Sequence, residues 1–248
     1  MQQELRPLWS RLFFFNWKVG LFLILAVCIP RFFLVLYANA SGNYGSIGII
    51  MMISAALPFI FLTKYGRTRI GIVNPEKYYW LLVAFVSGLG FSVLLYLIGE
   101  GLYGQSYENW YVYIGRSYNL PENINAHDKQ ILFWVVAGTG MIFSPIGEEL
   151  FFRGIVHSSI ASSTGERKAS IIDSAVFALT HLSHFGLVLM NNEWKILPFP
   201  SLIWLTSMFL ASLLFFTFKK YSGSLLGAII CHAAFNLGMT YCIFYLLP

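Results

Sequence analysis

Seven stretches of this sequence are apolar over about the length of a bilayer crossing, which takes roughly 20 residues of helix. They run approximately over 13–37, 45–63, 79–99, 131–157, 169–190, 199–218 and 223–247. Between them the chain is too poor in charge to cover a water-facing surface. Only 11% of its residues are charged and 57% are hydrophobic, against about 25% charged in a soluble domain. The solvent for most of the chain is therefore lipid. The expected fold class is all-α: a polytopic membrane helix bundle with about seven transmembrane helices. The polar stretch from Gly101 to Gln130 has room for a short interfacial helix, or for an eighth span. The first apolar run is long and lacks a small-x-small cleavage site, so it reads as a retained span rather than a signal peptide. Pro30 and Arg31 lie inside it and are expected to kink it or end it early.

Charge orients the bundle. Arg6, Arg11 and Lys18 precede the first span. Lys64, Arg67, Arg69 and Lys77 follow the second, Arg167 and Lys168 the fourth, and Lys219 and Lys220 the sixth. With seven alternating spans these basic segments share one side. The long loop with Glu100, Glu108, Glu122 and Asp128 falls on the other. The positive-inside rule then puts the N-terminus in the cytoplasm and the C-terminus outside, and the compact form of the chain suggests a multi-pass protein of a prokaryotic plasma membrane. No basic run with interleaved aromatics is present, so no nucleic-acid partner is expected. Cys28, Cys231 and Cys242 sit in apolar segments without a C-x-x-C pair and read as small packing residues.

Ionisable side chains inside membrane spans are costly and mark function. Here they concentrate in three segments. The fourth reads G-E-E-L-F-F-R-G, with Glu148, Glu149 and Arg153. The fifth reads F-A-L-T-H-L-S-H, with Phe177, His181 and His184. The seventh reads C-H-A-A-F-N, with His232 and Asn236. Glu149 and Arg153 are four residues apart, share a helix face and can pair. Glu148 is turned about 100° away and can face a cavity. His232 and Asn236 also share a face. Counted along their helices, Glu148, His181 and His232 lie about 13–18 Å from the cytoplasmic end. One polar layer, in a cavity opening inward, is expected. His184, one turn beyond His181, has room to share the cavity but reads first as helix glue or an interfacial residue, His157 as an interface anchor, and His127 as surface.

The chemistry narrows by elimination. No H-E-x-x-H is present, so a site-2-type zinc centre is unsupported. Asp128 and Asp173 lie near span ends, unlike an aspartyl pair. Ser224 after Gly223 sits at a span entrance, unlike a membrane serine nucleophile. What remains is a glutamate and histidines around water.

E-E-x-x-x-R at Glu148–Arg153, F-x-x-x-H at Phe177–His181 and H-x-x-x-N at His232–Asn236 resemble the three motifs of the CPBP family. That family comprises the CAAX proteases and bacteriocin-processing enzymes and includes the Ras-converting type. The resemblance covers roughly residues 131–247. It implies an intramembrane endopeptidase in which Glu148 is the general base, with His181 holding the water. His232 and Asn236 would donate to the oxyanion, and Glu149 and Arg153 would be a supporting pair. Shelter from water strengthens a carboxylate as a base, and each donor aimed at an oxyanion can contribute about 3–4 kcal/mol. The family is described both with and without a metal. Glu148, His181 and His232 would be the ligands of a divalent ion such as zinc, whereas Asn236 suits an oxyanion better.

Two regions follow: an N-terminal membrane scaffold with the long outer loop, 1–130, and a catalytic membrane core, 131–248. The expected partners are the lipid bilayer and a peptide or membrane-anchored protein, such as a bacteriocin precursor, cut near the cytoplasmic face. The competing reading is a non-catalytic membrane scaffold or bacteriocin self-immunity protein that retains the motifs. Sequence sets no oligomeric state.

Overall fold

A computed structural model describes residues 3–118 and 124–247; Glu122, counted above with the outer loop, lies outside the described residues. One turn, α1 (Pro7–Ser10), leads into α2 (Trp17–Ser41), α3 (Gly45–Phe61), the short α4 (Lys64–Arg69) and α5 (Tyr79–Tyr103). Then follow α6 (Trp110–Ser117), α7 (Ala126–Glu149), α8 (His157–Thr164), α9 (Glu166–Thr180), α10 (Pro198–Ser222) and α11 (Leu225–Tyr241). A π-helical stretch, Leu150–Val156, joins α7 to α8 without a break, and another, Cys242–Leu246, extends α11. The only strands among the described residues are β1 (Leu187–Met190) and β2 (Glu193–Ile196), an antiparallel hairpin between α9 and α10.

The all-α, multi-pass architecture stands. Five helical segments are long and apolar enough to cross a membrane: Trp17–Ser41, Tyr79–Tyr103, Ala126–Thr164, Pro198–Ser222 and Leu225–Leu246. α3 is apolar and 17 residues long, about 25 Å of helix.

The expected span over 169–190 is corrected. α9 has 15 residues, about 22 Å, too short for a core of about 30 Å. At its end the Phe177 carbonyl accepts both the His181 backbone N–H and, at 2.7 Å, His181 Nδ1. A 3-10 turn over His181–Ser183 follows, and Trp204 Nε1 donates to the His181 carbonyl at 2.9 Å. The apolar run L-V-L-M then pairs as β1, which satisfies its backbone where no helix does.

The expected break at Pro30 is corrected as well. α2 runs from Asn16, whose side chain caps Lys18 N, to Gly42, left-handed at φ 70°. Pro30 sits on its exposed face and Arg31 on its buried face. Arg31 stays inside because Glu148 neutralises it.

α11 packs on α5, α7 and α10. Contact with α5 is close: a Cβ on Gly88 would lie 2.0 Å from the Cys231 carbonyl, and one on Gly238 2.0 Å from Ser92 Oγ. Small residues let membrane helices approach in this way. The polar stretch 101–130 does hold a short helix, α6, but that helix is tucked into the bundle. Trp110 to Ile114 are buried, and Tyr111 Oη donates to the Ser92 carbonyl at 2.6 Å.

The bundle has two unlike ends. At the end where α2 starts and α10 finishes, the basic segments gather. There the 70–76 segment is laced to the α10–α11 turn by Leu225 N to Gly71 O, 2.9 Å, and Glu76 N to Ser222 O, 2.8 Å. The far end carries α6, the hairpin and the start of α10.

Candidate active site

Glu148 lies in the last turn of α7, 2% exposed. Its Oε1 accepts from Ser144 Oγ at 2.5 Å and from Arg31 Nη2 at 2.9 Å. Its Oε2 is buried, has no protein hydrogen-bond partner, and lies 3.7 Å from His181 Nε2. That separation is too long for a hydrogen bond. Because His181 Nδ1 donates to Phe177 O, the neutral ring keeps its lone pair on Nε2. A carboxylate oxygen and an imidazole nitrogen thus face one small space.

The two glutamates are neighbours at the end of α7 and so point about 100° apart, and the π-helical stretch begins directly after them. Such π turns recur at functional sites. Glu149 Oε2 pairs with Arg153 Nε at 3.1 Å, both side chains fully buried, although the N–H does not point at the oxygen. The guanidinium is held by aromatic faces instead, 4.3 Å from the Phe177 ring centre and 5.4 Å from Phe215. Desolvated contacts of this kind are worth about 2 kcal/mol. Glu149 Oε1 accepts from His232 Nδ1 at 2.7 Å, and the His232 ring stacks on Phe215 at 4.6 Å and 11°. Glu149 therefore ties α7, α11 and the Arg153 cation into one knot.

A cavity of about 190 Å³ connects these groups. Every site residue expected from the sequence except Glu149 and Arg153 lines it: Glu148, Phe177, His181, His232 and Asn236. Asn236 spends one amide N–H on the Gly140 carbonyl, 2.9 Å, and keeps the other. His184 lines the cavity too, its ring 5.3 Å from that of His181, the cavity-sharing alternative of its sequence reading.

Sequence reasoning missed Arg31, Ser144 and Asn39. Arg31 carried the signal, a charge within an apolar run, but was read as a helix breaker. His157 is also misread as an interface anchor. It is 1% exposed, and its ring nitrogens face Asp173 Oδ2 at 2.6 Å and Glu166 Oε2 at 2.9 Å. Ser224 only caps α11 and bonds the Val73 carbonyl. The three cysteines are buried and free.

From the glutamate layer the cavity extends along the bundle. Beyond the glutamate layer its walls are Met51, Trp204, Met208 and Phe235. Its outermost members are Asn39, Tyr44, Ser117 and Tyr118, all toward the far end of the bundle. Among the described residues, the Arg153 knot and the 70–76 segment pack the space between the glutamate layer and the basic end.

The donor set does not fit a divalent cation. Among the described residues no three His, Cys, Asp or Glu side chains are grouped to hold one. Glu148, moreover, already faces the Arg31 cation at 2.9 Å, which would repel a second positive charge.

The model of a family described as type II CAAX prenyl endopeptidase, Rce1-like, matches residues 130–238. The match covers 109 of the chain's 248 residues. The Rce1-like segment runs from within α7 to within α11 and contains every residue of the three motifs. The match makes this segment similar to a CAAX-type protease, and the apolar helices make the chain a multi-pass membrane protein with the bilayer as its surroundings. No curated protein and no solved structure matches the chain. Arg31 and Asn39, which complete the cavity, lie outside the Rce1-like segment.

Proposed function

We propose that this protein is an intramembrane endopeptidase in which Glu148 and His181 activate the hydrolytic water. The observation that carries the reading is the 3.7 Å gap between Glu148 Oε2 and His181 Nε2, at the base of a cavity and buried from bulk solvent. One oxygen atom beside both touches each. Glu148 takes a proton from that water, and the resulting hydroxide attacks the peptide carbonyl carbon. The tetrahedral intermediate collapses with cleavage of the C–N bond, and the proton held by Glu148 passes to the leaving nitrogen. General-base steps of this kind are worth about 10²–10⁴-fold.

The oxyanion is held from α11. Asn236 offers its second amide N–H. For His232 to donate from Nε2 as well, both ring nitrogens must carry a proton, since Nδ1 already donates to Glu149. Arg31 holds Glu148 in place from the α2 side.

The test compares the peptides that accumulate in membranes carrying wild type, Glu148→Gln or His181→Ala. Uncleaved substrate is expected to build up in both variants while the proteins insert at wild-type abundance. Undiminished cleavage by Glu148→Gln would remove the mechanism, and full biological activity of that variant would favour the scaffold reading.

A further inference from the structure

The C-terminal end of α3 is closed by groups from outside that helix. The last carbonyls of a helix have no donor within it. Here Ile60 O accepts from Trp9 Nε1 at 2.9 Å, and Phe61 O accepts from Arg6 N at 2.9 Å. The Leu62 carbonyl accepts from two guanidiniums, Arg6 Nε at 3.2 Å and Arg67 Nη1 at 3.1 Å. Cations at this end of a helix also complement its dipole. Capping accounts for one N–H of each arginine, and a guanidinium carries five. Among the described residues neither arginine has a carboxylate partner. Glu4, two residues before Arg6, pairs with Arg69 at 2.7 Å instead.

Beside these cations an open groove runs on the outer wall of the bundle. Arg6 lines it together with Pro7, Leu8, Ala56, Phe59 and Ile60. The Arg67 guanidinium lies 5.4 Å from the centre of the Phe59 ring, so both cations border one apolar floor. Leu8, Phe59 and Ile60 are exposed there. Ala56 and Ile60 stand about one turn apart on α3, so the floor leads from the charged rim toward the middle of the membrane. The walls are held in register. Trp9 stacks on Phe61 with ring centres 4.4 Å apart at 25°, which pins α1 across the end of α3.

We propose that this groove binds one phospholipid with an anionic headgroup, from the leaflet at the basic end of the bundle. The headgroup phosphate accepts the unspent N–H groups of Arg6 and Arg67, because a guanidinium forks onto phosphate oxygens. One acyl chain lies along Ala56, Phe59 and Ile60. Charge selects this occupant: two cations without carboxylates above an apolar floor match a negative head on an apolar tail. A peptide strand in the same place would set backbone N–H and C=O groups against hydrocarbon. The bound lipid clamps α1 to α3. No residue of the groove lines the glutamate-layer cavity, so the site is separate from the proposed peptidase chemistry.

Native mass spectrometry of the full chain, purified in detergent, tests this. The probes are dioleoyl phosphatidylglycerol and dioleoyl phosphatidylcholine, which share their acyl chains and differ in headgroup charge. Wild type is expected to bind phosphatidylglycerol at least tenfold more tightly than phosphatidylcholine. The double variant Arg6→Gln, Arg67→Gln is expected to lose that preference. Arg11→Gln with Lys18→Gln removes the same charge from exposed positions nearby and should keep it. Ala56→Phe fills the groove, leaves both arginines in place and should weaken phosphatidylglycerol binding at least tenfold. Because Ala56 takes no part in the cap, that variant decides the matter if the double arginine variant does not fold. Equal binding of the two lipids by wild type would overturn the proposal, as would undiminished binding by Ala56→Phe. An equal loss in the Arg11 and Lys18 variant would overturn it too, by showing attraction to diffuse surface charge. So would a dimer mass that disappears with Ala56→Phe, which would make a second copy of the chain the occupant.

Discussion

Arg31 changes what the glutamate layer is. A lone carboxylate was expected; the fold supplies a guanidinium 2.9 Å away, from a helix with none of the three motifs. Both partners are buried, so removing one strands the other, at about 3–5 kcal/mol. Arg31→Leu is therefore expected to lower the amount of folded protein and its melting temperature in detergent. Pairing Arg31→Leu with Glu148→Leu removes both charges, and the melting temperature should recover while proteolysis stays absent. A double variant no more stable than Arg31→Leu would show that the pair does not carry this energy. Arg153 is held differently, by aromatic faces as well as by Glu149. Arg153→Lys keeps the charge but loses the flat, delocalised cation that stacks on rings. Its folded yield is expected to fall between that of wild type and that of Arg153→Ala, measured by quantitative blotting of membranes.

At the scale of elements, the site depends on helices that approach closely or stop early. α5 and α11 meet at Gly88, where an added methyl would collide with backbone, while Gly90 on the same helix has nothing within 4 Å of its Cβ position. Gly88→Ala should thus destabilise by about 1–3 kcal/mol through overpacking. Gly90→Ala should be neutral or slightly stabilising through helix propensity. Equal melting temperatures for the two would refute the close approach. The α8–α9 corner is tied by His157. Burial pushes the Glu166 carboxyl up, but the hydrogen bond and charge of His157 outweigh it and leave it below the ordinary glutamate value. A carboxylate held low stabilises the fold above its unfolded value, and this is lost as pH falls through the folded one. Glu166→Gln should accordingly melt below wild type near neutral pH, and the two curves should converge in acid below the ordinary glutamate range.

For the whole molecule, the motifs lie on α7, α9 and α11, and the cavity they serve is finished by α2, α3, α6 and α10. The membrane class, the all-α fold and the candidate residues were legible because each is a local property. Apolar length sets spans, and an ionisable residue in such a run is conspicuous at its own position. The helix face shared by Glu149 and Arg153 follows from i,i+4 geometry alone. The stop of α9 was not legible, because a short apolar run such as L-V-L-M reads equally as helix or strand until its partner is known. Nor was the role of Arg31, whose partner is 117 residues away. By itself the sequence determined a polytopic helical bundle, its charged end, and the glutamate and histidines that carry the proposed chemistry. Only tertiary structure decided which cation faces Glu148, where α9 ends and which way the cavity leads. Those depend on distances between helices, and a helix packs against whichever neighbours bury its faces, not against those next in sequence.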